Sequence, residues 1–242
     1  ILDVKEVISR MDRHGIEKTA LMSKMTTKPI YKKSDYLMGV QRFMLRNKML
    51  RPVAEKLDSS FHMQDGEWNP WYRKFYRKEQ SYEILHHPDN KSVFDAVAKY
   101  PDRFFGWIFL NPKIPNWQDE FNKWNNFQGS IGIKIHPFWH RYSLKEAYPI
   151  ARLAQKEKLP LMVHLGFESI ENISEFASEF INLKVIFSHA GFPLYGDHWA
   201  IIKDINNFFV DLSSHHVDIK IIKNVVEYLG PDRCLFGTDD PY

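Results

Sequence analysis

The chain has 242 residues, of which 44% are hydrophobic and 26% charged, and its formal net charge is +3. The length fits one large domain or two small ones, composition excludes a disordered chain, and no apolar run approaches the roughly 18–20 residues that a membrane-spanning helix requires. The basic residues are dispersed, and their densest stretch, Arg73 to Lys78, is interrupted by Phe75 and Tyr76. A basic face for nucleic acid is therefore missing, and a small molecule is the expected partner. Cys234 is the sole cysteine, so no intrachain disulfide exists and a reducing, cytoplasmic setting is expected.

In chain order, Val4 to Gly15 reads as an amphipathic helix closed by a glycine. The first apolar run, 19–23, follows. Residues 35–88 break the rhythm: they are aromatic and basic, with Phe61, Trp68, Trp71, Tyr72, Phe75, Tyr76 and Tyr82 and no clear strand. Two readings stay open for this stretch: a helical insertion that packs on itself, or a cap over a barrel mouth. Ser92 then opens a helix through Val93, Phe94, Ala96 and Val97. Further apolar runs follow at 104–110, 131–137, 161–166, 184–191, 208–214 and 234–239, making seven candidate strands rich in Ile, Val, Phe and Leu, as covered parallel strands are. Between them, Ser143 and Glu146 form a capping box. Helical stripes run over 168–180 and 216–229, the second ending at Gly230-Pro231.

Strand–helix alternation of this density predicts an α/β protein with a parallel sheet. His164 and His189 lie 25 positions apart, and Asp239 lies 50 beyond His189 with one strand between. Reactive residues thus recur at strand ends in phase with the repeat. A (β/α)8 TIM barrel collects them in this way, whereas an open sheet uses one switch point. A single domain over 1–242 is expected.

In the run 131–137, Ile131, Ile133 and Ile135 share one face, and Gly132, Lys134 and His136 share the other. The isoleucines belong against outer helices, so Lys134 and His136 point into the barrel, where a lysine is costly unless paired or functional. By the same alternation His164 shares a face with Met162. His189 shares one with Val185 and Phe187, and Asp239 one with Leu235 and Gly237. Imidazole and carboxylate on neighbouring strand ends suit Zn, with Mn or Fe as alternatives. Such an ion brings the pKa of its water to roughly 7, and Asp239 can take the proton. His164, His189 and Asp239 are the candidate metal ligands, with Asp239 and His189 also the catalytic candidates. Lys134, His136, Trp139 and Arg141 are the candidate substrate-binding residues. His140 and His198 follow strands and could reach substrate, although a surface or capping role is preferred. Asp211 is expected to support the ligands from behind, and Asp240 to face away.

The segment Gly230-Pro-Asp-Arg-Cys-Leu-Phe-Gly-Thr-Asp-Asp-Pro-Tyr242 resembles the last-strand signature of the amidohydrolase-2 family. Gly132-Ile-Lys-Ile-His-Pro137, the strand ending at Val163-His164, and Ser188-His-Ala-Gly191 resemble its fourth to sixth strands. The resemblance runs from about Phe104 to Tyr242. It implies a TIM barrel and a metal-dependent hydrolase or nonoxidative decarboxylase. His164 would be a metal ligand, His189 a catalytic histidine or second ligand, and Asp239 a ligand and general base. It also suggests a homodimer. The family's first strand carries His-x-His, which this chain lacks. Either strand 1 lies upstream of Ile1 and the last helix beyond Tyr242, which is the expectation, or this member has lost those ligands. Hydrolysis of a small amide, ester or lactone is the leading reading. Decarboxylation of an aromatic or unsaturated acid, with Arg141, Trp139 and Trp199 around the substrate, is the second. A metal-free binding barrel is the third.

Overall fold

The computed structural model describes residues 3–26, 35–59, 67–68 and 82–239. Seven strands form one sheet: β1 (Thr19–Leu21), β2 (Phe104–Phe109), β3 (Ser130–Ile135), β4 (Leu161–Val163), β5 (Val185–Phe187), β6 (Phe208–Asp211) and β7 (Cys234–Leu235). They neighbour one another in chain order and every pairing is parallel. The sheet curls as seven of the eight strands of a TIM barrel. Each strand falls where an apolar run predicts one, and most end before the run does at the C-terminal end. The two free edges belong to β1 and β7. Beside the β7 edge Leu235 is 38% and Phe236 84% exposed.

The outer face of the sheet carries Ile133, Ile135, Leu161, Val163, Val185, Phe187, Phe208 and Val210, all buried in one core with Phe94, Ile150, Phe176, Ile221 and Val225 of the surrounding helices. Inside the curl a smaller cluster forms from Trp107, Met162 and Ile186, with Ile131 and Phe209 against it. Two face assignments are corrected here. Ile131 does not join Ile133 and Ile135. The β2–β3 register jumps from Gly106↔Ser130 to Trp107↔Gly132, so Ile131 is an extra residue in a bulge and packs inward. Nor does His189 share the face of Val185 and Phe187, because β5 ends at Phe187 and the chain leaves the pleat.

Helix starts follow local capping chemistry. Asp3 caps α1 (Val4–Arg13), accepting from the amides of Lys5 and Glu6 at 3.1 and 3.2 Å. The helix through Phe94 spans Asn90–Lys99 and its cap is Asp89, not Ser92; a carboxylate three residues earlier reaches the Ser92 amide first. The Ser143–Glu146 box is present, and it opens a 3-10 turn before the helix Tyr148–Lys156. The stripe over 168–180 divides into a 3-10 turn, Phe167–Glu171, and a helix, Ile173–Glu179. Asp218 caps the helix Ile219–Leu229, so that helix starts later than 216.

Two helices of the 35–88 stretch are described, α2 (Asp35–Arg46) and α3 (Arg51–Ser59). A short antiparallel pair, Glu67–Trp68 with Tyr82–Glu83, adds strands that the sequence pattern did not suggest. Phe61, Trp71, Tyr72, Phe75 and Tyr76 lie outside the described residues. The helix pair docks on the segments that follow β5 and β6, at the first turn of the helix Gly196–Ile202 and at the loop and cap before the helix Ile219–Leu229. Arg46 meets Asp218 at 2.5 Å and Arg42 meets it at 3.4 Å. Arg42 also donates to the His215 carbonyl at 2.8 Å. Lys48 and Arg51 pair with Asp197. Leu45 is the apolar anchor, 1% exposed. Burial would raise the Asp218 pKa, but hydrogen bonds from Arg46 and the Ile221 amide, with the charges of Arg46 and Arg42, leave it lowered.

Asn90 ties a helix to a strand end. Its side chain donates to the Phe109 carbonyl at 2.9 Å and accepts from the Phe109 amide at 2.8 Å, as a neighbouring strand would. Asn90→Ala strands both buried backbone groups and is expected to cost about 2–6 kcal/mol in urea denaturation, at ~1–3 kcal/mol for each lost partner. A cost under ~1 kcal/mol would mean that water replaces the amide. For the docked pair, Arg46→Gln should accelerate protease cleavage within 35–59 several-fold without moving the main unfolding midpoint. Equal cleavage rates would show that the ion pairs do not hold the helices down.

Candidate active site

The C-terminal ends of β3 to β6 bring polar side chains to one rim. Lys134 points inward from β3, 3% exposed, beside Met162 in the register. Its ammonium donates to the Ser188 hydroxyl at 2.5 Å. His136, two residues on, caps the short helix Pro137–His140, where its Nδ1 accepts from the Trp139 amide at 3.2 Å. Its own amide donates to the Tyr142 hydroxyl oxygen at 3.0 Å.

His164 follows β4, and its amide still donates to the Ile135 carbonyl at 3.1 Å. This last ladder bond sets the imidazole flat on His136, with ring centroids 4.0 Å apart and planes 17° from parallel. His189 arrives differently. After β5 the turn Ser188–Gly191 carries left-handed backbone at His189 (φ 57°), Ala190 (φ 54°) and Gly191 (φ 73°). That reversal swings His189 to the rim, its ring edge-on to His164 at 4.9 Å. Such backbone costs non-glycine residues about 1–3 kcal/mol, and several bonds hold it here. The His189 amide donates to Asp211 Oδ1 at 3.1 Å. The Trp199 indole donates to the Ala190 carbonyl and His198 Nδ1 to the Gly191 carbonyl, each at 2.7 Å.

Burial keeps the imidazoles neutral. The pKa of His136 and that of His164 are both pushed well below the usual imidazole value, by desolvation first and then by neighbouring histidines and Lys134. That of His189 falls to about 3, again by burial and then Lys134. Lys134 drops to about 8 by burial, while Asp211 and Asp239 pull it upward. At neutral pH the site therefore holds neutral imidazoles beside an ammonium.

Neutral imidazoles differ by tautomer. His136 Nδ1 accepts from an amide, so its proton sits on Nε2 and the ring offers a donor. His164 Nδ1 lies 3.2 Å from the Leu165 carbonyl, which can only accept. Its proton sits on Nδ1, leaving the Nε2 lone pair to act. A metal-binding histidine tied through its other nitrogen has this form. The stacked pair thus offers opposite polarities, one ring suited to a ligand and the other to hydrogen bonding a substrate.

The remaining candidates occupy varied positions. Asp239 is partly buried in left-handed backbone (φ 56°) beyond β7, and its charge acts on Lys134. Among the described residues no group of three or more His, Cys, Asp or Glu is poised to hold a metal ion. His164 and His189 are thus a converging pair, with Asp239 beside the lysine. Trp139 stands 5.6 Å from His136, and the Arg141 guanidinium lies over Phe138 at 5.8 Å. Trp199 is buried among core residues on the helix side. His140 and His198, 3% and 0% exposed, are not surface residues but interior clamps. His140 Nε2 lies 3.0 Å from the Leu85 carbonyl. Asp240 lies outside the described residues. Asp211 supports His189 as expected. Ser213 escaped the sequence reading although it follows Asp211 at strand spacing; its hydroxyl lies 2.9 Å from His189 Nδ1 and hydrogen bonds Asp211 Oδ1. A concavity of about 230 Å³ between Pro88, Asn111 and Trp117 has none of the three rim histidines in its lining.

The sequence profile of the amidohydrolase family matches residues 58–242. No curated protein matches the sequence. An uncharacterised TIM-barrel protein from Bordetella bronchiseptica superimposes with a TM-score of 0.56 at 16% identity, covering 64% of this chain and 60% of its own. A probable 2-pyrone-4,6-dicarboxylic acid hydrolase from Acinetobacter baumannii, solved with citric acid, gives 0.57 at 14% identity over 98% of this chain and 73% of its own. The 5-carboxyvanillate decarboxylase of Novosphingobium aromaticivorans, solved with manganese and a nitrobenzoic acid, gives 0.58 at 18% identity over 100% and 72%. These likenesses establish the barrel fold. The chain spans 60% of the Bordetella protein's length. No helix among the described residues is long and apolar enough to cross a membrane.

The clamping histidines make stability depend on pH. The His198 pKa falls from 6.5 to about 4, chiefly by burial, and His140 falls similarly for the same reason. Between these values the unfolded chain binds protons that the folded chain refuses, so stability is lost as pH drops from 6.5 towards 4. Urea midpoints measured across that window should fall with acid, and His198→Gln should flatten the slope. A slope identical to wild type would mean that the clamp already carries its proton.

Proposed function

Because this chain belongs to the amidohydrolase-2 family, we propose that it is the barrel of a metal-dependent hydrolase that cleaves a small-molecule amide, ester or lactone with activated water. The observation that carries this reading is the pair His164 and His189. Both are buried, and their rings lie 4.9 Å apart at the strand C-terminal rim. Their neutral form is what a divalent ion requires of imidazole, and the Leu165 carbonyl leaves the Nε2 lone pair of His164 free. Zn is the first candidate, with Mn or Fe as alternatives.

When bound, the ion supplies Lewis acidity and acidifies water. His164 and His189 would hold it, with Asp239 as a further ligand that also accepts the water proton and returns it to the leaving group. Lys134 and the Nε2–H of His136 would bind and orient an anionic or carbonyl oxygen of substrate. Trp139 and Arg141 would flank it. The helices α2 and α3, docked on the loops at the same end, would cap the mouth.

A second reading is decarboxylation at the same centre. A buried ammonium at Lys134 of β3 and a hydrogen-bond donor two residues on, at His136, suit a carboxylate. Citric acid in the Acinetobacter protein and a nitrobenzoic acid in the Novosphingobium decarboxylase, both bound in barrels of this fold, support an acidic substrate.

The test uses the full-length protein. Metal analysis is expected to find about one equivalent of Zn, Mn or Fe. Turnover should appear in a panel of lactones, esters and amides, or as CO₂ release from aromatic acids. His164→Asn should empty the centre. Asp239→Asn should lower kcat by about 10²–10⁴-fold, the range of general acid–base contributions. Metal below about a tenth of an equivalent, with no turnover by wild type, would leave only a metal-free binding barrel. Lys134→Met should raise KM most for carboxylate substrates, and an unchanged KM would remove Lys134 from substrate binding.

A further inference from the structure

Asp211 and Ser213, neither of which is assigned a direct part in the reaction, sit directly behind His189. Asp211 Oδ1 collects the His189 amide at 3.1 Å, the Ser213 amide at 2.9 Å and the Ser213 hydroxyl. The Ser213 oxygen lies 2.9 Å from His189 Nδ1 on its other side. All three residues are buried, at 6% exposure for Asp211, 7% for Ser213 and 8% for His189.

The hydroxyl has one proton to give. A carboxylate oxygen can only accept, so the short contact with Asp211 uses that proton. Towards His189 the Ser213 oxygen is then left with lone pairs alone, and Nδ1 must be the donor. The opposite assignment would face a hydroxyl lone pair against carboxylate Oδ1 at close range, without water to screen it. The same Oδ1 holds the His189 backbone amide, so one carboxylate fixes both the left-handed turn that delivers the ring and the hydrogen that the ring carries.

We propose that Asp211 and Ser213 are a positioning relay that locks His189 as the Nδ1–H tautomer and turns its Nε2 lone pair towards His164. The role of that lone pair in turnover rests on the hydrolase reading above, but the relay itself does not. His164 reaches the same tautomer through a backbone carbonyl. His189 has left its strand and needs side chains to do so.

The test is ¹⁵N NMR of imidazole-labelled protein, full chain, stripped of metal with a chelator, with His189→Gln used to assign the resonances. In wild type, His189 Nδ1 should show the shift of a protonated nitrogen and Nε2 that of an unprotonated one. Ser213→Ala should shift the ring to a mixture or to the Nε2–H form, while Ser213→Thr, which keeps the hydroxyl, should retain the wild-type pattern. On titrating Zn back, affinity should fall about 10–100-fold in Ser213→Ala, as for other lost supports of ligating histidines, and be restored in Ser213→Thr. A wild-type His189 protonated on Nε2, or an unchanged pattern in Ser213→Ala, overturns the relay. If Ser213→Ala does not fold, the wild-type and Ser213→Thr spectra decide alone. A correct tautomer in a protein that binds no metal and turns nothing over would instead retire the hydrolase reading and leave the relay standing.

Discussion

Burying an ammonium in the mouth of a barrel is the constraint around which the rim is organised. An unpaired charge there would cost several kcal/mol even after relaxation. Lys134 avoids that penalty because its ammonium bonds the Ser188 hydroxyl, and Asp211 and Asp239 lie close enough to raise its pKa against desolvation. The three imidazoles beside it then have to be neutral, since a second cation would add repulsion to the cost of burial. Burial is the largest cause of their depressed pKa values, and the lysine adds to it in all three. A neutral ring with a fixed tautomer is what a ligand or a hydrogen-bond donor requires, so the charge balance that makes the rim foldable also makes it chemically usable.

The rim side chains reach their places by two routes. Lys134 and His164 are delivered by the pleat: their position follows from strand alternation, and ladder bonds hold them. His189 is delivered by a turn, and its position follows from three successive left-handed residues held by Asp211, Trp199 and His198. The second route is the costlier one, because left-handed backbone at His189 and Ala190 has to be overdetermined by buried bonds. It also permits an edge-on approach to His164 that a residue still in the pleat of β5 would not make, since the residues at 185 and 187 face the helices.

That difference explains what could be read in the sequence. The seven strands were legible because covered parallel strands are apolar runs, and these alternate with helical stripes in a regular repeat. His164 was legible because Met162 and the ladder keep it in phase. His189 was found by repeat phase, yet its face was misjudged, since alternation was carried past the point where pairing stops. Ile131 was misjudged for a related reason: a bulge changes the count, and its signal was Gly132 inside the run with Gly106 opposite, which the alternation passed over. The sequence reading starts the helix at Ser92, and only the geometry shows that Asp89, three residues earlier, reaches the Ser92 amide. Ser213 was invisible because its partners, Asp211 aside, lie on a neighbouring strand end. Polar networks of this kind join positions more than 20 residues apart and leave no periodic trace.

The helix pair α2–α3 extends the argument from assembly to access. It meets the barrel through Arg42, Arg46, Lys48 and Arg51 against two carboxylates, with Leu45 as its deeply buried side chain. Asp218 and Asp197 are 29% exposed, and partly solvated ion pairs contribute little each, about 0–1 kcal/mol, with screening by salt. The barrel core, by contrast, is closed by dozens of buried apolar side chains. A unit fastened by a few screened charges opens at far lower free energy than one fastened by a core. The same two carboxylates stand in the segments that follow β5 and β6, the strands whose ends carry His189 and Asp211. The pair is therefore held to the segments that follow the strands of His189 and Asp211 by contacts that open before the barrel core does.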